Sequence, residues 1–394
     1  MNELSQRHWN GRKELHKELH KELFSSRKKR INVYQNRDCF VYCRLFVSNN
    51  GRICKAFNRL FCFIDYKVIC CLFCLMIVVN GLQKTGLFQV AATALIKKTG
   101  TLRKITAVLV GLVFFGSMVI TNDVALITFI PFALILLKEL DNPRQRVVIL
   151  VLMTIAANIG SSLTPVGNPQ NLFLFTFYGL SPGLFFKITV PIVFTGGVLL
   201  LASLLLIKND TVHAKDIIAN YQLSLQQVSI YLILFLISIL AVFNVIPYLL
   251  VCIIVFLSVL IVDRSILTSI DYSLLLTFVF FFIFIGNIQK IPVIHSFLAS
   301  ISRQNIQLVS ASASQVISNV PAAILFSSFT EDFQGLIRGV SLGGLGSLVA
   351  SLASVITYKL FTHSYRNESK SFMAIFTIIN SIFLILLFGL TAIV

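Results

Sequence analysis

Two short polar tips stand out in an apolar chain, Thr121-Asn122-Asp123 and Ser318-Asn319-Val320. A third polar stretch, Ala157–Asn171, reads Ala-Asn-Ile-Gly-Ser-Ser-Leu-Thr-Pro-Val-Gly-Asn-Pro-Gln-Asn, and a fourth, Gly343–Ser347, reads Gly-Gly-Leu-Gly-Ser. These residue types suit ion chemistry. Asn122 and Asn319 each offer an amide carbonyl and two N–H donors. Asp123, an acid inside an apolar stretch, could bind Na+ or carry a proton; its competing role is to cap the helix expected over residues 124–137. Asn158, Ser161, Ser162, Thr164, Asn168, Ser341 and Ser347 add oxygens for ligation or capping. Gly160, Gly167, Gly343, Gly344 and Gly346 let backbone approach closely. A helix start offers N–H groups and a positive dipole end to an anion. Carbonyls at unwound turns suit Na+, which is expected near Asn122, Asp123 and Asn319.

The elements that must position these residues follow from composition. Of 394 residues, 56% are hydrophobic and 12% charged, with mean hydropathy +0.86. That excludes a soluble protein and predicts an all-α polytopic membrane protein in contact with the lipid bilayer. Backbone in hydrocarbon must satisfy its own hydrogen bonds, and irregular backbone survives there only inside protein or beside a water-filled cavity. Broken helices of this kind hold substrates and coupling ions in transporters. The alternative for Ala157–Asn171 is an extramembrane loop, since Pro and Gly are also ordinary loop residues. The spans carry no Ser/His/Asp or Cys/His arrangement and no phosphate-binding loop, so neither an enzyme, a cofactor nor direct ATP coupling is expected.

The halves echo each other. Ile64-Asp65-Tyr66 and Ile270-Asp271-Tyr272 each open an apolar span, and Gln83-Lys84 and Gln289-Lys290 close them; one offset of 206 relates both pairs. Asp65 and Asp271 are read as helix caps. In each half, two arms around a polar tip follow, and then a span broken by Gly and Ser. An odd number of crossings separates the halves if the arms around Asn122 form a re-entrant hairpin, so the repeats are expected to be inverted. The divisions are residues 63–207 (repeat one), 208–226 (linker), 227–263 (hairpin) and 264–394 (repeat two), together a transporter membrane domain over 63–394. Lys-rich segments 84–104 and 138–146 belong on the cytoplasmic face, and Gln289–Gln304 is expected to be an outer loop.

Residues 1–62 differ. Residues 1–60 hold 14 Lys/Arg against 5 Asp/Glu, so +9 of the chain's +17 lies there. They carry a tandem Glu-Leu-His-Lys motif from Glu14 and a basic run Arg27–Arg30, with no apolar core of a secretory signal. A solvated tail or a membrane-surface helix are the two readings. In a membrane protein this basicity does not indicate a nucleic-acid partner. The eight Cys match no recognised zinc spacing.

With these residues in view, the chain resembles the ion transporter superfamily, in its citrate-transporter-like branch related to divalent anion:sodium symporters. Thr121-Asn122-Asp123-Val124-Ala125, Ala157–Asn171, Ser318-Asn319-Val320-Pro321-Ala322 and Gly339–Ala350 carry the resemblance, over roughly Ile64–Val394. It implies two inverted repeats, each with a re-entrant hairpin and a broken helix, working as a homodimer with an elevator-like motion. Members move carboxylates, sulfate, arsenite, or sodium against protons. Dicarboxylate symporters carry Ser-Asn-Thr at both tips, where this chain has Thr-Asn-Asp and Ser-Asn-Val. The family begins with hydrophobic spans where residues 1–62 are polar, so this segment looks like a replaced N-terminus, through truncation or a misread start. The expectation is a secondary transporter for a small anion, coupled to Na+ or H+, in a prokaryotic cytoplasmic (inner) membrane. The alternatives are a Na+/H+ antiporter, an arsenite-type permease, or a non-transporting remnant lacking its N-terminal spans.

Overall fold

The computed structural model describes residues 63–96, 99–137, 142–210 and 223–393. The basic segment 1–62 and most of the linker lie outside them. The described chain is helical, with sixteen α-helices joined by turns and short 3-10 segments. Five helices are long and apolar enough to cross a membrane: Tyr66–Lys84 (α1), Leu102–Val119 (α3), the segment Pro182–Leu206, which holds Pro182–Ser203 (α7), Leu225–Val242 (α8), and the segment Arg366–Thr391, which holds most of Ser369–Ile393 (α16). The protein is therefore a multi-pass, all-α integral membrane protein.

The remaining elements are shorter. Leu87–Ile96 (α2) precedes α3, and Asn122–Leu136 (α4) packs back against α3 across the turn at Ile120-Thr121. Pro143–Ser161 (α5) and Pro169–Phe177 (α6) flank the first break. Tyr248–Val262 (α9) packs on α8, the expected hairpin. Tyr272–Ile288 (α10) and Pro292–Gln304 (α11) are followed by Ile306–Ile317 (α12), Asn319–Ser327 (α13), Phe333–Gly343 (α14) and Leu352–Ser364 (α15). Helix starts follow the sequence. Asn142, Ser181, Asp271, Asn305 and Asp332 each accept an N–H from the first turn, and Pro143 and Pro182 sit where no N–H is needed. Asp271 is thus the expected cap.

Two expectations need correction. Gln289–Gln304 is not a loop: its residues from Pro292 form α11, which turns by 104° from α10. Lys290 and Arg303, its only charges, suit an outer connection, whereas spaced apolar residues let a polar helix lie across the end of a span. The breaks at the tips are also narrower than the polar triplets. Asn122 and Asp123 already lie in α4, and Asn319 to Pro321 lie in α13, leaving Thr121 and Ser318 as the turning residues. Asp123 is consequently in the first turn of α4, and Thr121 holds the cap position. Pro321 is tolerated because the first turn has N–H groups to spare.

One packing scheme occurs twice. The first broken helix runs along its hairpin arm, α5 on α3, and so does the second, α14 on α12. The half-helix after each break then crosses over: α6 packs on α13 and α15 packs on α4. The two halves therefore interlock around the breaks, and α1 sits outside them against α8 and α9.

Candidate functional site

Hydrogen bonds at the breaks repeat as well. Thr164 Oγ1 donates to the Met118 carbonyl at 2.6 Å, and Ser347 Oγ donates to the Gln315 carbonyl at 2.9 Å. Met118 and Gln315 are 197 residues apart, the spacing of Asn122 and Asn319. Thr164 and Ser347 are 183 apart, the spacing of Gly167 and Ala350. Those last two residues also accept bonds from their tips. The Asn122 N–H donates to the Gly167 carbonyl at 3.0 Å, and the Ser318 hydroxyl donates to the Ala350 carbonyl at 3.3 Å. Each hairpin tip is thus pinned to the turn of its own broken helix.

The first tip reaches the second break through Asn158. Asn122 Nδ2 donates to Asn158 Oδ1 at 3.3 Å, and Asn158 Nδ2 donates to the Gly344 carbonyl at 3.2 Å. Ser351 Oγ donates to the same Asn158 Oδ1 at 2.9 Å. Gly344 faces Asn319 so closely that a Cβ there would come within 2.9 Å of the Asn319 amide nitrogen. Asn122, Asn158, Asn319 and Ser351 are all buried. Asn158 is the bridge, since it touches the first tip and both sides of the second break.

The other expected residues support this junction. Ser161 and Ser162 turn their hydroxyls onto the Asn158 carbonyl at 3.1 and 2.9 Å. Asn168 caps α6 by accepting the Asn171 N–H and donates to Ser161 Oγ at 3.2 Å. Gly160 and Gly167 lie against the α3 backbone, and Gly343 lies against Ser314 of α12. Gly346 turns the second break with φ +102°, a left-handed value that favours glycine. Ser341 sits at the 183-residue counterpart of Asn158, and its hydroxyl is buried with no partner among the described residues. Asp123 Oδ1 is likewise buried and unpartnered among them.

Ser351 was missed by sequence reasoning, and so were two residues that brace the breaks. Asn171 Nδ2 donates to the carbonyls of Ser161, Ser162 and Thr164 at 3.4, 3.1 and 3.2 Å. Gln315 Nε2 donates to the carbonyls of Gly343 and Leu345 at 3.0 and 2.9 Å, while its Oε1 accepts the Ser347 N–H at 2.8 Å. Asn171 ended the polar stretch and was open to inspection. Gln315 lay inside an arm and gave no signal beyond being a polar residue in a short helix.

The chemical character of the junction comes from helix ends. α4, α6, α13 and α15 all begin at the tips and breaks. Asn168 caps α6, but Thr121, Ser318 and Ser351 make no side-chain cap bond to α4, α13 and α15. The Asn122 and Asp123 N–H groups of α4 go to the Gly167 carbonyl and to Asn122 Oδ1, so α13 and α15 present N–H groups while all three starts present positive dipole ends. The profile of the citrate transporter family matches residues 55–342, most of the chain and both tips. The chain belongs to this family. Within the citrate transporter family and its kin, it is 32% identical to an uncharacterized transporter of Methanocaldococcus jannaschii, over 78% of this chain and 84% of that protein. It is 29% identical to the inner membrane protein YbiR of Escherichia coli, over 75% of this chain and 80% of that one. A silicon efflux transporter of Oryza sativa is 32% identical over a shorter stretch, 28% of this chain and 22% of that protein. The protein is thus a membrane transporter of the citrate transporter family.

Proposed function

We propose that the protein is a secondary transporter that carries a small anion through the junction of tips and breaks, coupled to Na+ or H+. The observation that carries this reading is the convergence of three uncapped helix starts on the buried Asn122, Asn158 and Asn319. The first N–H groups of α13 and α15 and the positive dipole ends of all three starts suit an anion, and the Ser341 hydroxyl is a further donor in reserve. The tips depart from the Ser-Asn-Thr of dicarboxylate symporters, which favours another small anion. The repeats are taken as inverted, with each hairpin re-entrant, and the transporter as a homodimer moving its junction by an elevator-like step. The E. coli relative's name supports residence in an inner membrane.

One observation favours a second reading. The unpartnered Asp123 carboxylate oxygen beside the junction is suited to a cation, as the coupling ion of an anion symporter or as the carrier group of a Na+/H+ antiporter. Reconstitution into proteoliposomes tests both. Uptake of an anion panel is measured with imposed Na+ and pH gradients. The expected result is uptake of one small anion class driven by one of the gradients. Asn122→Ala and Asn319→Ala should each cut that uptake at least tenfold, and Asp123→Asn should remove its Na+ or pH dependence. Proton flux driven by Na+ alone, with no anion moved, would replace the proposal by the antiporter reading. Uptake and coupling unchanged by Asp123→Asn would remove Asp123 from the ion site.

A further inference from the structure

Between α3 and α7 lies a cavity of about 400 Å³, far from the polar tips at one end and reaching the first break at the other. Its walls are apolar side chains and two glycines, Gly111 on α3 and Gly197 on α7. A methyl group built on Gly111 meets no atom within 4 Å, so the space beside it is open. The lining runs along α3 from Ala107 to Phe115, about 12 Å at the helical rise of 1.5 Å per residue. Phe194, 71% exposed, and Phe115, 67% exposed, flank it on the outer surface of the helices. In a membrane protein that surface meets lipid.

The end of this groove is basic. Lys104 lies three residues before Ala107 and seven before Gly111, on the same helix face. Arg103 Nε donates to the Ile207 carbonyl at 3.0 Å, which ties the start of α3 to the chain just beyond α7. Lys208 follows directly, and both Lys104 and Lys208 are exposed. Asp210 is the one acid in this stretch among the described residues, and its carbonyl accepts the Leu102 N–H. Three cationic side chains against one acid thus gather where an apolar slot reaches the membrane surface. A phosphate at that level and a hydrocarbon chain below it satisfy both parts at once.

We infer that the α3–α7 groove binds an anionic phospholipid, with one acyl chain along Gly111 and Gly197 and the headgroup phosphate at Lys104, Lys208 and Arg103. Leu163, in the first break, lines the inner end of the groove, and its carbonyl accepts the Thr189 hydroxyl of α7. A seated chain therefore touches the back of the break without entering the polar junction.

The test is lipid retention by the purified full chain. The protein is exchanged into phosphatidylglycerol-doped or phosphatidylcholine-doped detergent micelles, and native mass spectrometry counts bound lipid. One phosphatidylglycerol retained in preference to phosphatidylcholine is expected. Lys104→Gln with Lys208→Gln should weaken retention roughly 25-fold, at ~1 kcal/mol for each basic residue near the headgroup. Gly111→Phe, which fills the open space, should abolish it. Equal retention of the two lipids would overturn the inference, as would retention unaffected by Gly111→Phe in a protein of unchanged melting temperature. If Gly111→Phe instead converts a lipid-free dimer to monomer, the groove is an interface between copies and the inference fails. Should Gly111→Phe not fold, the lysine pair, on exposed surface, decides alone: undiminished phosphatidylglycerol retention by that variant overturns the site.

Discussion

At the first break the carbonyls of Ser161, Ser162 and Thr164 are held by Asn171, from the half-helix that follows. At the second break the carbonyls of Gly343 and Leu345 are held by Gln315, from the hairpin arm that precedes it. Neither brace has a counterpart in the other half. The residue 183 positions beyond Asn171 is Ser354, whose buried hydroxyl has no partner among the described residues and whose side chain is too short to span the turn. The residue 197 positions before Gln315 is Met118, whose side chain has no N–H to give. A repeated architecture thus fixes where unwound backbone must be satisfied, and leaves open which side chain does it. The mechanical consequence differs too. Both breaks are tied to their hairpin arms, by Thr164 and by Ser347, but Gln315 adds a further tie between α12 and the second break, whereas Asn171 braces the first from its own following half-helix.

What the halves share should be the most costly to disturb. Gly160 presses on the Phe114 carbonyl of α3, and its 183-residue counterpart Gly343 presses on Ser314 and the Ala311 backbone of α12. A Cβ at either glycine must push two helices apart. Gly160→Ala and Gly343→Ala should each cost about 1–3 kcal/mol by overpacking, read as a fall in melting temperature in detergent. Similar losses would support equivalent helix contacts in the two halves. A tolerated change at one glycine and collapse at the other would break the comparison.

The braces should separate the halves. Asn171 is fully buried, so Asn171→Ala strands three carbonyls without water and should cost about 1–3 kcal/mol. Gln315 is only partly buried, so water can replace much of its service. Gln315→Ala should cost nearer 1 kcal/mol in stability but loosen the turn that faces Asn319, and thus weaken substrate affinity. Melting curves and uptake measured on both variants check the pair. Equal stability losses with equal uptake losses would mean that the two braces do one job.

The larger outline of this arrangement was legible before any coordinates. Interruption of apolar runs by Asn, Gly, Pro and Ser marked both tips and both breaks, because hydrocarbon forbids such residues without a reason. The recurring order of elements was legible for the same cause. Three kinds of detail were not. The limits of the breaks depended on helix starts absorbing Asn122, Asp123 and Asn319 into first turns, which local polarity cannot reveal. The helix α11 was hidden because a helix lying across a span's end needs polar residues and then resembles a loop. Asn158 was recognised as a site residue, but its bridging role was not. Its partners Asn122, Gly344 and Ser351 come from three other elements, and only folding brings them together.

The finest distinction between the halves lies at one atom. Gly344 stands 183 residues beyond Ser161, so the first break carries a side chain where the second carries none. Ser161 has room for it, its hydroxyl resting on the Asn158 carbonyl. At Gly344 the place of a Cβ is limited by Asn319, whose amide nitrogen would lie 2.9 Å away. That group is the end of a side chain, not backbone, and it can rotate aside. Gly344→Ser, which copies the first half into the second, should therefore leave the melting temperature almost unchanged while displacing the Asn319 amide from the junction. The expected reading is a KM for the transported ion raised about tenfold, or 1.4 kcal/mol of lost binding, with little change in maximal rate. A KM equal to that of the parent protein would show that Asn319 does not need its position against Gly344. The two breaks would then differ in shape without differing in what they bind.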